Sequence, residues 1–545
     1  MSGNEISLTI PDKKRARHIN KPSLAFQRVF RCIPAFVIFG GPLLSIYWSF
    51  FNIHYYFIFA VGFCIFQLYY SCYIGYYAYN CISNARENNS KDWRQEYENY
   101  KKQNKDQAVL QWDDIVHYVI ITAYKENVSI LNDTLNAIAE SSIAHQIIPV
   151  LGMEQREEGC DEKASALVQK FQSKFKGMLY TVHPKGIPGE MAGKSSNSNW
   201  TYRTGVVPDI NKRGLETDNV VVSICDADSL YNVKHFDVLT FKYCTLPNRH
   251  SLAYQGPMVN FANVESVPAV IRLMSVVISM HELSHVYNCK NNQIFPFSTY
   301  SYSYRMIKDN DGWDPDFVAE DWHQFLKLYF NTGGQVSLEA LPYPIVCYSV
   351  ESDSFWSSIK ERFEQAKRHA IALQEVVYIF TRCMNIITGH STGPAPKIAG
   401  TLSVFTKTIF PHMIATYHLF LLGYSFFVFQ MYFWIPHWVN PDDSAIVNTF
   451  WAIAFNLVNF LSAITLFVMS LNTHRMINYI KNEDGRWWRP VIFLIEWLLF
   501  APIGNFLFTF IPTFIAASRL VWKDMLDFEY VCAAKPESEI EVVVD

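Results

Sequence analysis

Five long apolar segments constrain the fold of this chain more than any other feature of its sequence. Four of them occupy residues 33–51, 55–77, 409–434 and 447–471, and the first two contain no charged residue. A helix needs about 20 apolar residues to cross the roughly 30 Å hydrocarbon core of a bilayer. The sequence therefore predicts two membrane-spanning helices before residue 80 and at least two after residue 405.

The fifth apolar segment, 491–518, permits more than one structure. It contains Glu496, Pro502, Gly504 and Pro512, all of which interrupt a simple apolar helix. One long tilted helix, a kinked helix and a re-entrant hairpin all fit this pattern. Three or four helices are therefore expected after the central domain.

Composition excludes several classes of protein. Of the 545 residues, 50% are hydrophobic and only 18% are charged, against about 25% charged in ordinary soluble proteins. The net charge is −4, and the 11 cysteines form no CxxC pair. These values argue against a disordered chain, a nucleic-acid partner, a zinc ribbon and a disulfide scaffold.

The distribution of basic residues predicts the orientation in the membrane. Seven Lys or Arg residues lie between positions 13 and 31, and four more lie between 475 and 489. The connection between the third and fourth apolar segments contains Asp442 and Asp443 but no Lys or Arg. Because cytosolic flanks are enriched in basic residues, the N-terminus and residues 78–408 are expected in the cytosol of a plasma-membrane, Golgi or ER protein.

Residues 83–380 have the pattern of a soluble α/β domain. Predicted strands occupy 116–122, 147–151, 178–183 and 220–225, and predicted helices occupy 128–140, 163–175 and 267–288. This alternation predicts a mostly parallel sheet covered by helices on both faces. In such sheets ligands bind beyond the carboxyl ends of the strands.

Acidic residues follow the predicted strands. Asp226 and Asp228 come directly after the 220–225 strand, where paired carboxylates can hold Mg²⁺ or Mn²⁺. Further along, Glu320 and Asp321 can provide a general base. The alternative for both pairs is a structural role at the start of a helix.

Lys194 lies in a segment of small residues, 189–197. A cation at this position can bind phosphate, although the segment is not a Walker A motif, because Pro188 stands where that motif needs a glycine. The alternative is a solvated loop lysine.

Taken in order, these motifs resemble the membrane-embedded family 2 glycosyltransferases, which include the hyaluronan, chitin and cellulose synthases. The resemblance covers residues 117–370 and implies a GT-A-like fold within an α-helical membrane frame. It places Tyr124 and Glu126 at the nucleotide base and Glu154, or alternatively Asp161, at the next acidic position.

The resemblance also implies the remaining site residues. It places Lys194 beside the nucleotide and makes Asp226 and Asp228 the ligands of Mg²⁺ or Mn²⁺. The expected acceptor residues are Trp313, Asp314, Glu320 and His369, and Asp321 is the expected base. Gln365 and Arg368 are expected on the donor side. His369 stands where the family has a tryptophan, which leaves processive synthesis open.

The implied organisation has six parts. These are a basic tail (1–28), two membrane helices (29–80), a cytosolic glycosyltransferase domain (81–370), an interfacial helix region (371–405), C-terminal membrane helices (406–522) and an acidic tail (523–545). The expected reaction is inverting transfer of a sugar from a nucleotide-sugar donor, a UDP-sugar by resemblance. The expected acceptor is a glycan or a lipid-linked sugar, and the lipid bilayer is the other partner.

One motif favours a different class of protein. Residues His281, Glu282 and His285 form an HExxH sequence on a predicted helix, as in membrane zinc proteases. A non-catalytic membrane scaffold or transporter is the third alternative, and it predicts that the acidic residues at the strand ends are dispensable.

Overall fold

The computed structural model describes residues 24–104, 109–291, 294–391, 393–434, 445–481 and 487–522. The chain begins with α1 (Leu24–Phe51), α2 (Ile53–Asn88) and α3 (Trp93–Gln103). It ends with α14 (Ile398–Trp434), α15 (Ala445–Lys481), α16 (Arg489–Asn505) and α17 (Ile511–Trp522). A mixed α/β domain lies between these two groups of helices.

The strands of the α/β domain are β1 (Val116–Thr122), β2 (Ile147–Glu154), β3 (Leu179–His183), β4 (Val220–Asp226), β5 (Leu252–Gln255), β6 (Met258–Val259), β7 (Tyr300–Ser303), β8 (Ser337–Ala340) and β9 (Ile345–Val346). Its helices are α4 (Val128–Ala139), α5 (Cys160–Phe171), α6 (Lys194–Thr201), α7 (Val207–Arg213), α8 (His235–Thr245), α9 (Ala269–Tyr287), α10 (Tyr304–Asp309), α11 (Glu320–Asn331), α12 (Phe355–Ala370) and α13 (Gln374–Ile387).

Seven strands form one mixed sheet in the order β3-β2-β1-β4-β7-β5-β8. The pairs among β3, β2, β1 and β4 are parallel, and so is the β5–β8 pair, whereas β7 is antiparallel to both of its neighbours. The sheet is therefore mostly parallel, as the sequence predicts. Strands β6 and β9 form a separate parallel pair beside it.

Parallel strands that are covered on both faces consist of continuous apolar runs. The central strands β1 and β2 show this pattern. Residues 116–121 of β1 and all of β2 are buried. Helices α4, α5 and α8 pack on one face of the sheet, and α7, α10 and α11 pack on the other. Because β1 pairs parallel with both β2 and β4, the carboxyl ends of these three strands lie at one edge of the sheet.

Among the described residues, five helical segments are long and apolar enough to cross a membrane by length and composition: Phe26–Phe51, Ile53–Asn88, Ala269–Tyr287, Phe355–Ile387 and Arg489–Trp522. The first two C-terminal apolar segments expected from sequence, 409–434 and 447–471, lie within α14 and α15, where many side chains are outside the described set. Segments 269–287 and 355–387 are mostly buried in the protein, whereas the other three are mostly not.

The fifth apolar segment forms one helical path and not a re-entrant hairpin. Helix α16 continues through a π-helical turn, Phe506–Phe510, into α17. Glu496, the charge inside this segment, forms an ion pair with Arg272 of α9 at 2.6 Å. This pair ties the apolar helix α16 to the α/β domain.

Several boundaries differ from the sequence-based expectations. Helix α2 continues to Asn88, beyond the expected end near residue 80, and α14 already begins at Ile398. Strand β2 extends to Glu154, so this acidic residue belongs to the strand itself. Helix α1 begins at Leu24, within the expected basic tail 1–28. Residues 1–23, the acidic tail 523–545, and Asp442 and Asp443 lie outside the described residues.

Candidate active site

The mostly covered side chain of Lys194 joins the ends of three elements at this edge of the sheet. Lys194 is the first residue of α6 and not a solvated loop residue, which corrects that alternative. Its Nζ lies 2.5 Å from Asp226 Oδ1 and 2.9 Å from Glu320 Oε1, and it donates to the carbonyl of Ser298 at 2.6 Å. The structure thus brings together four residues that lie up to 126 positions apart in sequence.

The charge of Lys194 is fixed by these neighbours. Burial disfavours the ammonium, but the carboxylates of Asp226 and Glu320 outweigh that effect and raise the pKa of Lys194. A cation at the first turn of a helix also opposes the helix dipole. The carboxylates are therefore what holds this ammonium in place.

Asp321 has the environment of a general base. Its Oδ2 accepts from the backbone N–H of Ser298 at 2.8 Å, and its Oδ1 accepts from the N–H of Trp322 at 2.8 Å. Burial raises the pKa of Asp321 above its ordinary value, although the Lys194 ammonium acts in the opposite direction. A carboxylate of raised pKa, oriented by two donors, can accept a proton near neutral pH.

Ser298 has an uncommon backbone conformation that makes this arrangement possible. Its φ is +57°, in the left-handed region that non-glycine residues seldom adopt. In this conformation its N–H points to Asp321 and its C=O points to Lys194. Backbone strain of this kind recurs at functional sites.

Glu320 shares the cluster with Asp321 and is likewise affected by burial. Burial raises the pKa of Glu320 to about 8, despite the nearby Lys194 ammonium.

The two aspartates of the expected metal motif have different surroundings. The Asp226 side chain is 28% exposed, the most open of the cluster. Asp228 is buried, and its Oδ2 accepts from the backbone N–H of Tyr348 at 3.0 Å. Both provide the hard oxygen ligands that Mg²⁺ and Mn²⁺ prefer.

A metal at Asp226 would need ligands from elsewhere. No group of three or more His, Cys, Asp or Glu side chains suited to a metal ion occurs within the described ranges. Water and substrate phosphates usually complete the coordination shell of Mg²⁺. The partly exposed Asp226 beside the buried Asp228 therefore fits a metal ion that binds together with its substrate.

A second polar cluster lies at the ends of β2 and β3. The Glu154 carboxylate is 3.2 Å from Arg156 Nε and 3.2 Å from His183 Nδ1, and His183 Nε2 is 2.9 Å from Glu190. Burial opposes the imidazolium, but the two glutamates raise the pKa of His183 to about 9. Glu154 is therefore occupied by internal partners.

Tyr124 and Glu126 lie at the end of β1, beside this cluster. The Arg156 guanidinium stacks 4.2 Å from the centroid of the Tyr124 ring, and the Tyr124 N–H donates to the Glu126 carboxylate. Sequence reasoning missed Arg156, His183 and Glu190. The signal was available, since His183 ends a parallel strand at the same edge of the sheet.

The expected acceptor residues divide into buried and accessible ones. Trp313 is 1% exposed, and its Nε1 donates to the Tyr300 hydroxyl at 2.9 Å, so it supports the site from the core. Asp314 accepts from Lys327 at 2.6 Å and contacts His323 at 3.0 Å. Burial raises the pKa of Asp314, but Lys327 and His323 outweigh burial and hold it below its ordinary value.

The residues Gln365, Arg368 and His369 lie on α12. Gln365 Oε1 accepts from the buried Arg362 at 2.7 Å, whereas His369 is exposed. Helix α12 packs against α17 and the π-helical turn 506–510. These residues therefore lie at the junction between the α/β domain and the C-terminal apolar helices.

The HExxH sequence lies on α9, as predicted from its helical pattern. The rings of His281 and His285 are 5.9 Å apart, and His281 Nδ1 contacts the Val277 carbonyl at 2.7 Å. Within the part of the chain that the structure describes, no third metal-ligating side chain completes this pair. The geometry does not favour a zinc protease.

Solved structures that are similar to this chain share little sequence identity with it. No family model and no curated protein matches the sequence. The fold is similar to a mannosyltransferase from Pyrobaculum calidifontis in complex with GDP-Man and Mn²⁺ (13% identity, TM-score 0.38, 82% of this chain and 99% of that chain). It is also similar to residues 1–349 of S. aureus TarS (12% identity, TM-score 0.31, 74% and 91%). These similarities are too distant to bear on the activity of this chain.

Proposed function

We propose that this chain is an integral-membrane, metal-dependent, inverting glycosyltransferase that uses a nucleotide-sugar donor. The observation that carries the proposal is the convergence of Lys194, Asp226, Glu320 and Asp321 at the carboxyl edge of a mostly parallel sheet. This edge is where α/β domains bind their ligands. The cluster combines a cation suited to phosphate, one partly exposed carboxylate and an oriented base.

Each residue of the cluster has a proposed role. Asp226 and Asp228 would hold Mg²⁺ or Mn²⁺, which neutralises charge on a donor diphosphate. Lys194, already held at Asp226, adds positive charge at the same point. As the acceptor oxygen bonds to the anomeric carbon, the bond to the diphosphate breaks, and Asp321 takes the hydroxyl proton.

The nucleobase of the donor is assigned to the polar cluster at the ends of β2 and β3. The flat surface made by Tyr124 and Arg156 suits stacking of a nucleobase, with Glu126 and Glu154 beside it. The resemblance to family 2 enzymes favours a UDP-sugar. Gln365 and Arg368 are assigned to the donor side of α12, and a guanidinium can bind phosphate oxygens with two hydrogen bonds.

The acceptor is assigned to the other side of Asp321. Asp314 lies in the loop before α11, and Glu320 is the residue before this base at the start of that helix. Trp313 is buried, and His369 is exposed on α12. We propose a glycan or lipid-linked acceptor, with the site facing the cytosol and the apolar helices anchoring the chain in the bilayer.

The experiment that tests this proposal is nucleotide release by the purified full-length chain in detergent. A panel of UDP- and GDP-sugars is supplied with Mn²⁺ or Mg²⁺, and the matched variants are Asp226→Asn and Asp353→Asn. Asp353 is an exposed aspartate before α12 and serves as the control.

One donor should release its nucleotide, and both EDTA and Asp226→Asn should abolish the release while Asp353→Asn keeps it. Release from no donor, or release that neither EDTA nor Asp226→Asn reduces, would contradict the proposal.

A further inference from the structure

A short segment before β7 contacts three parts of the proposed site. Ser298 donates its N–H to Asp321 at 2.8 Å, and its carbonyl accepts from Lys194 at 2.6 Å. The next residue, Thr299, accepts the backbone N–H of Asp226 through Oγ1 at 3.2 Å. The base, the lysine and the first aspartate of the expected metal motif therefore share one support.

The beginning of this segment, which comprises residues 297–299, is held by one amide side chain. Gln255 is the last residue of β5 and is 1% exposed. Its Oε1 accepts the N–H of Phe297 at 2.9 Å, and its Nε2 donates to the carbonyl of Phe297 at 3.3 Å. Because the amide pairs with both backbone groups of one residue, this contact fixes the position and the rotation of Phe297.

The HExxH helix α9, which the proposed reaction leaves without a role, supplies a further contact of this amide. Gln255 Nε2 also donates to Glu282 Oε2 at 3.3 Å. The two N–H groups of the amide nitrogen thus have two acceptors, while the amide oxygen faces a donor. Glu282 therefore helps to set which way the amide of Gln255 points.

The turn at Ser298 needs this support because its conformation is uncommon. Its φ of +57° lies in the left-handed region, which serine seldom adopts. The N–H of Thr299 closes the turn on the carbonyl of Phe297 at 2.6 Å. Loss of the Gln255 amide removes two hydrogen bonds from Phe297, so the turn relaxes and the N–H of Ser298 leaves the base.

We infer that Gln255 is a positioning residue for the proposed base, Asp321. It holds Phe297 and thereby keeps the N–H of Ser298 on the carboxylate, and Glu282 in turn holds Gln255. This inference rests on the proposed function, because that function makes Asp321 the base. Loss of Gln255 should therefore slow the reaction and leave donor binding, whose assigned contacts come from other side chains.

The first test compares Gln255→Met with a matched control, Gln146→Met, in the full-length chain. Methionine resembles glutamine in length but has no amide. Gln146 is buried to the same degree, at 2% exposed, and donates to the carbonyl of Trp112 at 3.3 Å. It precedes the first residue of β2, at the end of this strand that is away from the site.

In Gln255→Met, kcat for nucleotide release with acceptor should fall about tenfold, as loss of one orienting hydrogen bond does, with the donor KM within twofold. The acid limb of the pH profile should move to higher pH, because the Ser298 N–H lowers the pKa of Asp321. Gln146→Met should change neither. The same kcat and pH profile in both variants would overturn the inference, and so would a donor KM that rises as much as kcat falls.

Hydrogen–deuterium exchange tests the same contact without any substrate. Peptides that cover residues 297–299 should exchange about tenfold faster in Gln255→Met than in the native chain, and at the native rate in Gln146→Met. Native exchange in Gln255→Met would overturn the inference. Absence of nucleotide release from the native chain is a different result, since it would overturn the transfer reaction itself.

A second pair of variants decides the matter if Gln255→Met does not fold. Gln255→Glu keeps the shape of the side chain, but even a protonated carboxyl has one O–H for two acceptors, so kcat should fall at least threefold. Adding Glu282→Gln supplies an N–H donor from the other side and should recover most of this loss. Native kcat in Gln255→Glu overturns the role of Gln255, and no recovery in the double variant overturns the role of Glu282.

Discussion

Replacing Asp321 by Asn is expected to abolish transfer while donor binding persists. The carboxylate of Asp321 is the oriented base of the site, and an amide cannot take the acceptor proton. Loss of a general base typically costs 10²–10⁴-fold in rate, which corresponds to about 3–5 kcal/mol of transition-state stabilisation. The donor contacts assigned to Asp226 and Lys194 remain.

The structure also predicts a cost in stability for this variant. Both oxygens of Asp321 accept backbone N–H groups, from Ser298 and Trp322, whereas Asn has one acceptor oxygen. One buried N–H then faces an NH₂ group and loses its partner, at a cost of about 1–3 kcal/mol. Unfolding of the variant is therefore measured alongside its activity, at a temperature where both proteins are folded.

The assay measures kcat for nucleotide release with acceptor, and donor Kd by calorimetry. Because burial raises the pKa of Asp321, the acid limb of the native pH profile should lie above the range of an ordinary carboxyl group. In Asp321→Asn this limb should disappear with the rate. Transfer within tenfold of the native rate, or an unchanged pH profile, would refute the assignment of the base.

Three further predictions concern the charged clusters. Because the pKa of His183 is raised from 6.5 to about 9, its charged form contributes about 3 kcal/mol to the free energy of unfolding. This contribution is complete below pH 6.5 and is lost as pH rises through 9. The free energy of unfolding should therefore fall between pH 6.5 and pH 9.5 in the native chain and not in His183→Gln. Lys194→Gln leaves the carboxylates of Asp226 and Glu320 without their cation, so it should lower the free energy of unfolding by about 3–5 kcal/mol at pH 8. The loss should be smaller at pH 5.5, where carboxyl groups take up protons. An equal loss at both pH values would contradict this role of Lys194. Arg272→Met should destabilise more than the double variant Arg272→Met with Glu496→Met, because the single change leaves a buried carboxylate unpaired; thermal unfolding in detergent measures the difference.

The sequence predicts the central architecture because its strongest signals are local. The buried strands β1 and β4 are continuous apolar runs, and each ends at a polar turn. The positions of Tyr124 and Asp226 at one edge of the sheet follow from parallel pairing alone. The long apolar segments likewise predict helices from their length and composition.

What sequence reasoning missed depends on long-range packing. Nothing near Lys194 in the sequence indicates that Asp226 and Glu320 surround it, so a solvated lysine remained an open alternative. The segment 491–518 permits a hairpin because Glu496 and two prolines interrupt its apolar run. The partner of Glu496, Arg272, lies 224 residues earlier and is not visible from the local sequence.

The most direct test of the central claim is the stereochemistry of the product. The full-length chain is incubated with the α-linked nucleotide-sugar that it uses, and the new glycosidic linkage is assigned by nuclear magnetic resonance. Single displacement with Asp321 as the base predicts a β-linked product. An α-linked product, or nucleotide release with no sugar transferred to any acceptor in native membranes, would contradict the proposed inverting transfer.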